Sequence, residues 1–186
     1  MNAAQQANTR QLPVNVFAQD ESRLGLMTIL RRIITGKGVK PIAPFQQKYQ
    51  TCYLYGVVEP LTGESCFFTF SHVDTICFQA FLDHVAATFP ETFNILLLDR
   101  GTFHRAQALE LPQNIVCIFQ PAATPELNPI ERVWQYIKER LALKNFDSLD
   151  ELFNAVSSII KGLTREILQS LTGFDYFTTA VKGVFI

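Results

Sequence analysis

NILLLDRGTFH, from Asn94 to His104, holds four consecutive aliphatic residues, Ile95 to Leu98, followed at once by an acid. A run that short does not make a helix on its own, and unbroken hydrophobicity of this length suits a strand covered on both faces. It reads as an interior parallel strand. The run stops at Asp99, with Gly101 supplying a turn and Arg100, His104 and Arg105 close behind. In open α/β sheets functional groups gather just beyond the carboxyl ends of strands, so Asp99 stands where a ligand site is expected. An aspartate that merely opens a turn has the same local sequence.

Working outward, Val14–Asp20 alternates, with Val14, Val16, Ala18 and Asp20 on one face, which is the period of a strand closing at Asp20. Cys52–Val58 and Glu64–Phe70 are rich in aromatic and β-branched residues and flank Pro60-Leu61-Thr62-Gly63, a turn sequence, so they pair as an antiparallel hairpin. Asp74 is the N-cap of a helix over about Thr75–Thr88, where Phe78, Phe81, Leu82 and Val85 recur at helical spacing. After the strand ending at Asp99 come a short helix around Arg105–Leu109, a strand over Asn114–Phe119 and a Pro-punctuated loop. Ile130, Val133, Trp134, Ile137 and Leu141 then form the stripe of one helix, and Ser148 with Glu151 makes the capping box of another. A last helix from about Arg165 to Leu171 is expected to end at Gly173. The first 13 residues are polar and expected to fray.

A chain of 186 residues, 48% hydrophobic with 16 Phe, can bury one full core. No window approaches the roughly 18 uninterrupted apolar residues of a membrane span, and the N-terminus lacks the apolar centre of a signal peptide. A soluble, cytoplasmic protein is expected. The four cysteines are widely spaced, with no CxxC pair and no clustered His, which favours buried thiols over zinc or disulfides. The net charge of −1 conceals a segregation: residues 22–58 carry Arg23, Arg31, Arg32, Lys37, Lys40 and Lys48 and no acid, so the rest of the chain is at −7. Such a segment suits a polyanion, and a solvated surface loop has the same composition. Gly36, Gly38, Pro41 and Pro44 make it an irregular or hairpin-like excursion.

If the strands ending at Asp20 and Asp99 are parallel neighbours, the two acids meet at one edge of the sheet. Close carboxylates repel, and a shared proton or a bound cation resolves the conflict. Oxygen ligands favour magnesium or manganese over zinc. A third acid, Glu131, opens the helix after the Pro-rich loop. With Asn128 as N-cap and Pro129 at N1 it falls at N3, the capping-box position, so a cap and a site residue are both open readings.

QDES (Gln19–Ser22), LLLDRGTFH (Leu96–His104) and PELNPIERVWQYIK (Pro125–Lys138) resemble the three signature blocks of the DDE transposases, specifically the mariner-related bacterial insertion-sequence group. The 32 positions from Asp99 to Glu131 agree with the separation of the second and third acids there. The resemblance covers nearly the whole chain from Val14 and implies an α/β, ribonuclease H-like domain over 14–186, with a mixed five-stranded sheet flanked by helices. It implies that Asp20, Asp99 and Glu131 are catalytic and hold two divalent ions, Mg2+ or Mn2+, about 4 Å apart. The ions would serve DNA strand cleavage and strand transfer. His104 and Arg100 are assigned to phosphate contact with Arg31, Arg32 and Lys37, Arg100 replacing the Asn usual after the second acid. The implied partner is DNA, as transposon ends and target, with a homodimer left open and localisation to the nucleoid when bound. Only 19 residues precede Asp20, so the helix-turn-helix that reads the ends is expected from a separate domain or chain. A DNA-binding remnant without activity, a ribonuclease H or junction nuclease, and a structural protein are the rival readings.

Overall fold

The computed structural model describes residues 12–99, 109–120 and 127–185. Their framework is a mixed five-stranded sheet in the order β3-β2-β1-β4-β5, built from β1 (Val14–Gly25), β2 (Thr51–Val58), β3 (Ser65–Phe70), β4 (Phe93–Leu98) and β5 (Ile115–Phe119). The first three strands run as an antiparallel meander, and β4 and β5 add in parallel on the far side of β1. The aliphatic run at Ile95–Leu98 is therefore an interior parallel strand, as its composition demands, with Ile95, Leu96 and Leu98 fully buried. The expected short helix at Arg105–Leu109 falls almost wholly outside the described residues.

Asp20 does not close its strand. β1 continues to Gly25, because antiparallel pairing with β2 runs on to Gly25↔Thr51 after parallel pairing with β4 has stopped at Ala18↔Leu97. Asp20 thus lies where β1 has lost one neighbour and kept the other. Beyond Gly25, residues 27–50 form the irregular excursion. Its base is tied by Leu26 N–H to the Gln50 carbonyl and Thr28 N–H to the Gln46 carbonyl, at 3.0 and 3.1 Å, while Ile34 and Ile42 farther out are fully exposed.

Helices cover both faces. On one, α1 (Thr75–Thr88) lays Phe78, Phe81, Leu82 and Val85 against Phe17, Tyr55, Val57 and Leu96, and Asp74 caps it by accepting from Cys77 N–H at 2.8 Å. On the other, α2 (Glu131–Leu141), α3 (Leu149–Lys161) and α4 (Arg165–Thr172) bring Val133, Trp134, Ile137, Leu152 and Leu168 onto Ala18, Leu24 and Leu54. Burying some thirty apolar side chains in this way is the main stabilising term of the domain. Gly173 ends α4 as expected, but the chain then turns into a further helix, α5 (Asp175–Phe185), whose Phe177 and Val181 cover Val16 and Ile95.

Glu131 is the first residue of α2 and not its third, and the capping box expected there does not form. Residues 128–130 make a tight turn, with Glu131 N–H bonded to the Asn128 carbonyl and Arg132 N–H to the Pro129 carbonyl, both at 3.2 Å. Asn128 spans the turn: its Oδ1 accepts from Ile130 N–H at 3.4 Å while its Nδ2 donates to the Gln19 carbonyl at 2.9 Å. Among the described residues no helix is long and apolar enough to cross a membrane. All four cysteines are free, with Cys52 and Cys66 buried.

Candidate active site

Continuing the β1/β4 register two residues past Ala18↔Leu97 sets Asp20 level with Asp99. Side chains alternate along a strand, and Ala18 and Leu97 belong to the face covered by α2–α5, so Asp20 and Asp99 project to that same face. Glu131 opens the helix that lies on it. Three acids far apart in the sequence therefore occupy one end and one side of the sheet.

Asp20 is the most perturbed of them. Burial pushes its pKa up to about 7, with the carboxylates of Glu21 and Glu131 adding to the rise, against hydrogen bonds that favour the charged form. Trp134 supplies one of those bonds, its Nε1–H donating to Asp20 Oδ2 at 2.9 Å. Two other polar atoms on the same strand, Gln19 Oε1 and Ser22 Oγ, are buried without a hydrogen-bond partner. Glu131 and Asp99 are both exposed. Among the described residues no three His, Cys, Asp or Glu side chains already stand close enough to cage a metal ion. Glu131 lies near enough to Asp20 to add to the rise in its pKa, and the strand register sets Asp99 on the same edge, without closing the three around a common point.

The donor set nevertheless fits a hard divalent cation. All three acids offer carboxylate oxygens, and Asp20 is destabilised as an anion by its acidic neighbours, a conflict that a cation among them relieves.

A cavity of about 640 Å3 opens beside Glu131, lined in part by Arg31, Arg132, Lys138, Phe174 and Tyr176. Arg31 thus comes from the basic excursion to the wall that Glu131 also lines. Arg32 and Lys37 lie farther along the excursion and are exposed. Arg100 and His104 lie outside the described residues. Sequence reasoning misses Arg132 and Lys138 as neighbours of the site and reads Trp134 as part of an apolar stripe and of a signature block, without its bond to Asp20. The signal available is the even spacing of Asn128, Glu131 and Trp134, three residues apart, which stacks them along one side of the helix entrance.

A five-stranded mixed sheet in this order, three strands in antiparallel meander and two added in parallel, with helices on both faces, defines a ribonuclease H-like fold. The family described as DDE superfamily endonuclease matches residues 15–153, and the chain belongs to it. An uncharacterized protein, y4pE/y4sA of Sinorhizobium fredii (strain NBRC 101917 / NGR234), is 30% identical over 102 residues, covering 54% of this chain and 76% of the relative. Among solved structures, a Mos1 transposase paired-end complex with the left transposon end superposes with a TM-score of 0.68 at 14% identity, covering 91% of this chain and 55% of that one. The Mos1 mariner paired-end complex with Mn superposes at 0.65 and 14% identity, over 92% and 56%. The chain thus spans little more than half the length of these structures.

Proposed function

We propose that this chain is the catalytic domain of a DNA transposase, cutting a DNA strand and joining the freed end to a target, with Asp20, Asp99 and Glu131 as its catalytic and metal-binding acids. The observation that carries this reading is that Trp134, on the helix that Glu131 opens, hydrogen-bonds Asp20, 114 positions earlier, at the end of the sheet where Asp99 follows β4. Family membership and the fold shared with the Mos1 complexes support it.

In this reading, Mg2+ or Mn2+, two ions as in other phosphodiester-cleaving sites, supplies charge neutralisation and an activated water or 3′ hydroxyl. The chain's own task is alignment. Phosphoryl transfer needs in-line positioning and charge stabilisation more than a protein nucleophile, and a rigid sheet edge with a helix start beside it offers both. Arg31, Arg132 and Lys138, lining the cavity next to Glu131, are placed to draw a phosphate backbone toward the acids. Arg32 and Lys37 extend that positive surface along the excursion, and Arg100 and His104 are assigned to phosphate near the second acid. The partners are transposon-end and target DNA. Recognition of the ends falls to a helix-turn-helix unit, and two copies work as a dimer on paired ends.

The test is nicking of supercoiled plasmid by the purified chain with Mn2+, beside Asp99→Asn. Native nicking and its loss by roughly a thousandfold or more in the variant are expected, since removing a ligand carboxylate forfeits several kcal/mol of transition-state stabilisation. Equal rates for both proteins would rule the chemistry out.

A further inference from the structure

Asn128, Glu131 and Trp134 follow one another at intervals of three, and the outer two both reach the strand that carries Asp20. Asn128, 5% exposed, donates Nδ2 to the carbonyl of Gln19, and Trp134, 2% exposed, donates Nε1–H to Asp20 Oδ2, each at 2.9 Å. One grips the backbone just before the acid and the other grips the acid itself. Glu131 sits between the two grips.

The sheet is shaped to admit the indole. Gly56 on β2 is the register partner of Asp20, and a Cβ there would stand 2.6 Å from Trp134 Cη2 and 2.8 Å from Phe67 Cδ1. Any larger residue opposite Asp20 would force the ring away. Phe67 meets the indole edge to face, with centroids 6.0 Å apart and planes at 70°. Beyond its packing, the indole brings an N–H aimed at one carboxylate oxygen.

We propose that Trp134 is a positioning residue for the metal centre: its N–H commits Oδ2 of Asp20 and so fixes the carboxylate for a cation, and with Asn128 it sets the separation of Asp20 from Glu131. The inference rests on the metal-site reading given above. A donor that fixes a ligating carboxylate from behind spares the cation the cost of ordering it, and losing such a partner weakens metal binding by about 10–100-fold.

Trp134 is the single tryptophan of the chain, so its indole N–H gives one resonance in a 1H–15N spectrum. In the full chain without DNA, that resonance is expected to move on titration with Mg2+ and to move again in Asp20→Asn, where the response to Mg2+ disappears. Calorimetric titration is expected to show Mn2+ binding about tenfold or more weaker in Trp134→Phe, which keeps the ring and loses the N–H. Nicking by this variant recovers when Mn2+ is raised, a rescue that a packing defect would not show. Mn2+ affinity unchanged in Trp134→Phe overturns the proposal. Should that variant not fold, an indole resonance indifferent to both Mg2+ and Asp20→Asn overturns it. A native chain that takes up no Mn2+ overturns instead the metal-site reading beneath it.

Discussion

Asn94 and Asp20 lie on adjacent central strands, near opposite ends of one sheet, and their surroundings treat them in opposite ways. Asn94, wholly buried, donates Nδ2 to the carbonyls of Phe89 and Thr92 and accepts at Oδ1 from Thr92 Oγ1, at 3.1, 3.3 and 2.7 Å. Asn15 bonds to the same threonine at 3.3 Å, and Asn114 donates to the carbonyls of Ala86 and Phe89. The side chains of that knot hold one another and the nearby backbone. Around Asp20, by contrast, two carboxylates oppose its charge, and Gln19 Oε1 and Ser22 Oγ are buried with no partner. An end of a sheet whose polar side chains are satisfied fixes the fold. An end left in electrostatic conflict stores a demand for something outside the chain, and functional sites are where such conflicts persist.

The largest expected effect comes from substituting the two residues in turn. Asp20→Asn removes a resisted charge, so melting of the metal-free chain at pH 8 is expected to rise while Mn2+-dependent nicking falls by roughly a thousandfold. Asn94→Ala should behave inversely, losing about 1–3 kcal/mol of stability in denaturant unfolding as buried partners go unpaired, with nicking per folded molecule unchanged. Both variants losing stability and activity together would erase the distinction between the ends.

A smaller effect is expected from pH. Asp20 has its folded pKa raised from 3.8 to about 7, so its protonated form contributes stability that is fully present below about pH 4 and is lost as pH rises through about 7. The melting temperature of the metal-free native chain should therefore fall between pH 5 and pH 8, and this part of the slope should vanish in Asp20→Asn. Adding Mg2+ at pH 8 should restore the loss. Thermal melts across that range, with and without the cation, check the sign.

The smallest effect concerns affinity alone. Replacing Arg31, Arg32 and Lys37 with Ala should flatten the dependence of DNA binding on salt, by roughly 0.9 in the log–log slope for each phosphate no longer neutralised. An unchanged slope would remove the excursion from the DNA footprint.

What can be read from the sequence divides along the same line as local and distant contacts. α1 is legible because Asp74 and the spacing of Phe78, Phe81 and Val85 are local signals, and β4 because its apolar run needs only burial to explain it. The length of β1 is not legible, since what carries it past Asp20 is pairing with β2, some thirty residues later. Capping rules set Glu131 two positions too deep in its helix because residues 128–130 close a tight turn before the regular helix begins. α5 escapes a reading by pattern: Gly173 signals a stop, and DYFTTAVKG offers only Phe177 and Val181 as buried anchors. Of the proposed site, Asp20, Asp99 and Glu131 can be singled out by type and spacing, but the bond from Trp134 to Asp20 spans 114 positions, beyond any periodicity.

The excursion between β1 and β2 leaves the sheet six residues after Asp20, and its feet are already stitched together at Leu26–Gln50 and Thr28–Gln46. Its outer portion can therefore be lengthened, shortened or exchanged near Gly36–Gly38 with little thermodynamic penalty, because closure is set at the feet and extra loop length adds only slowly to the entropy.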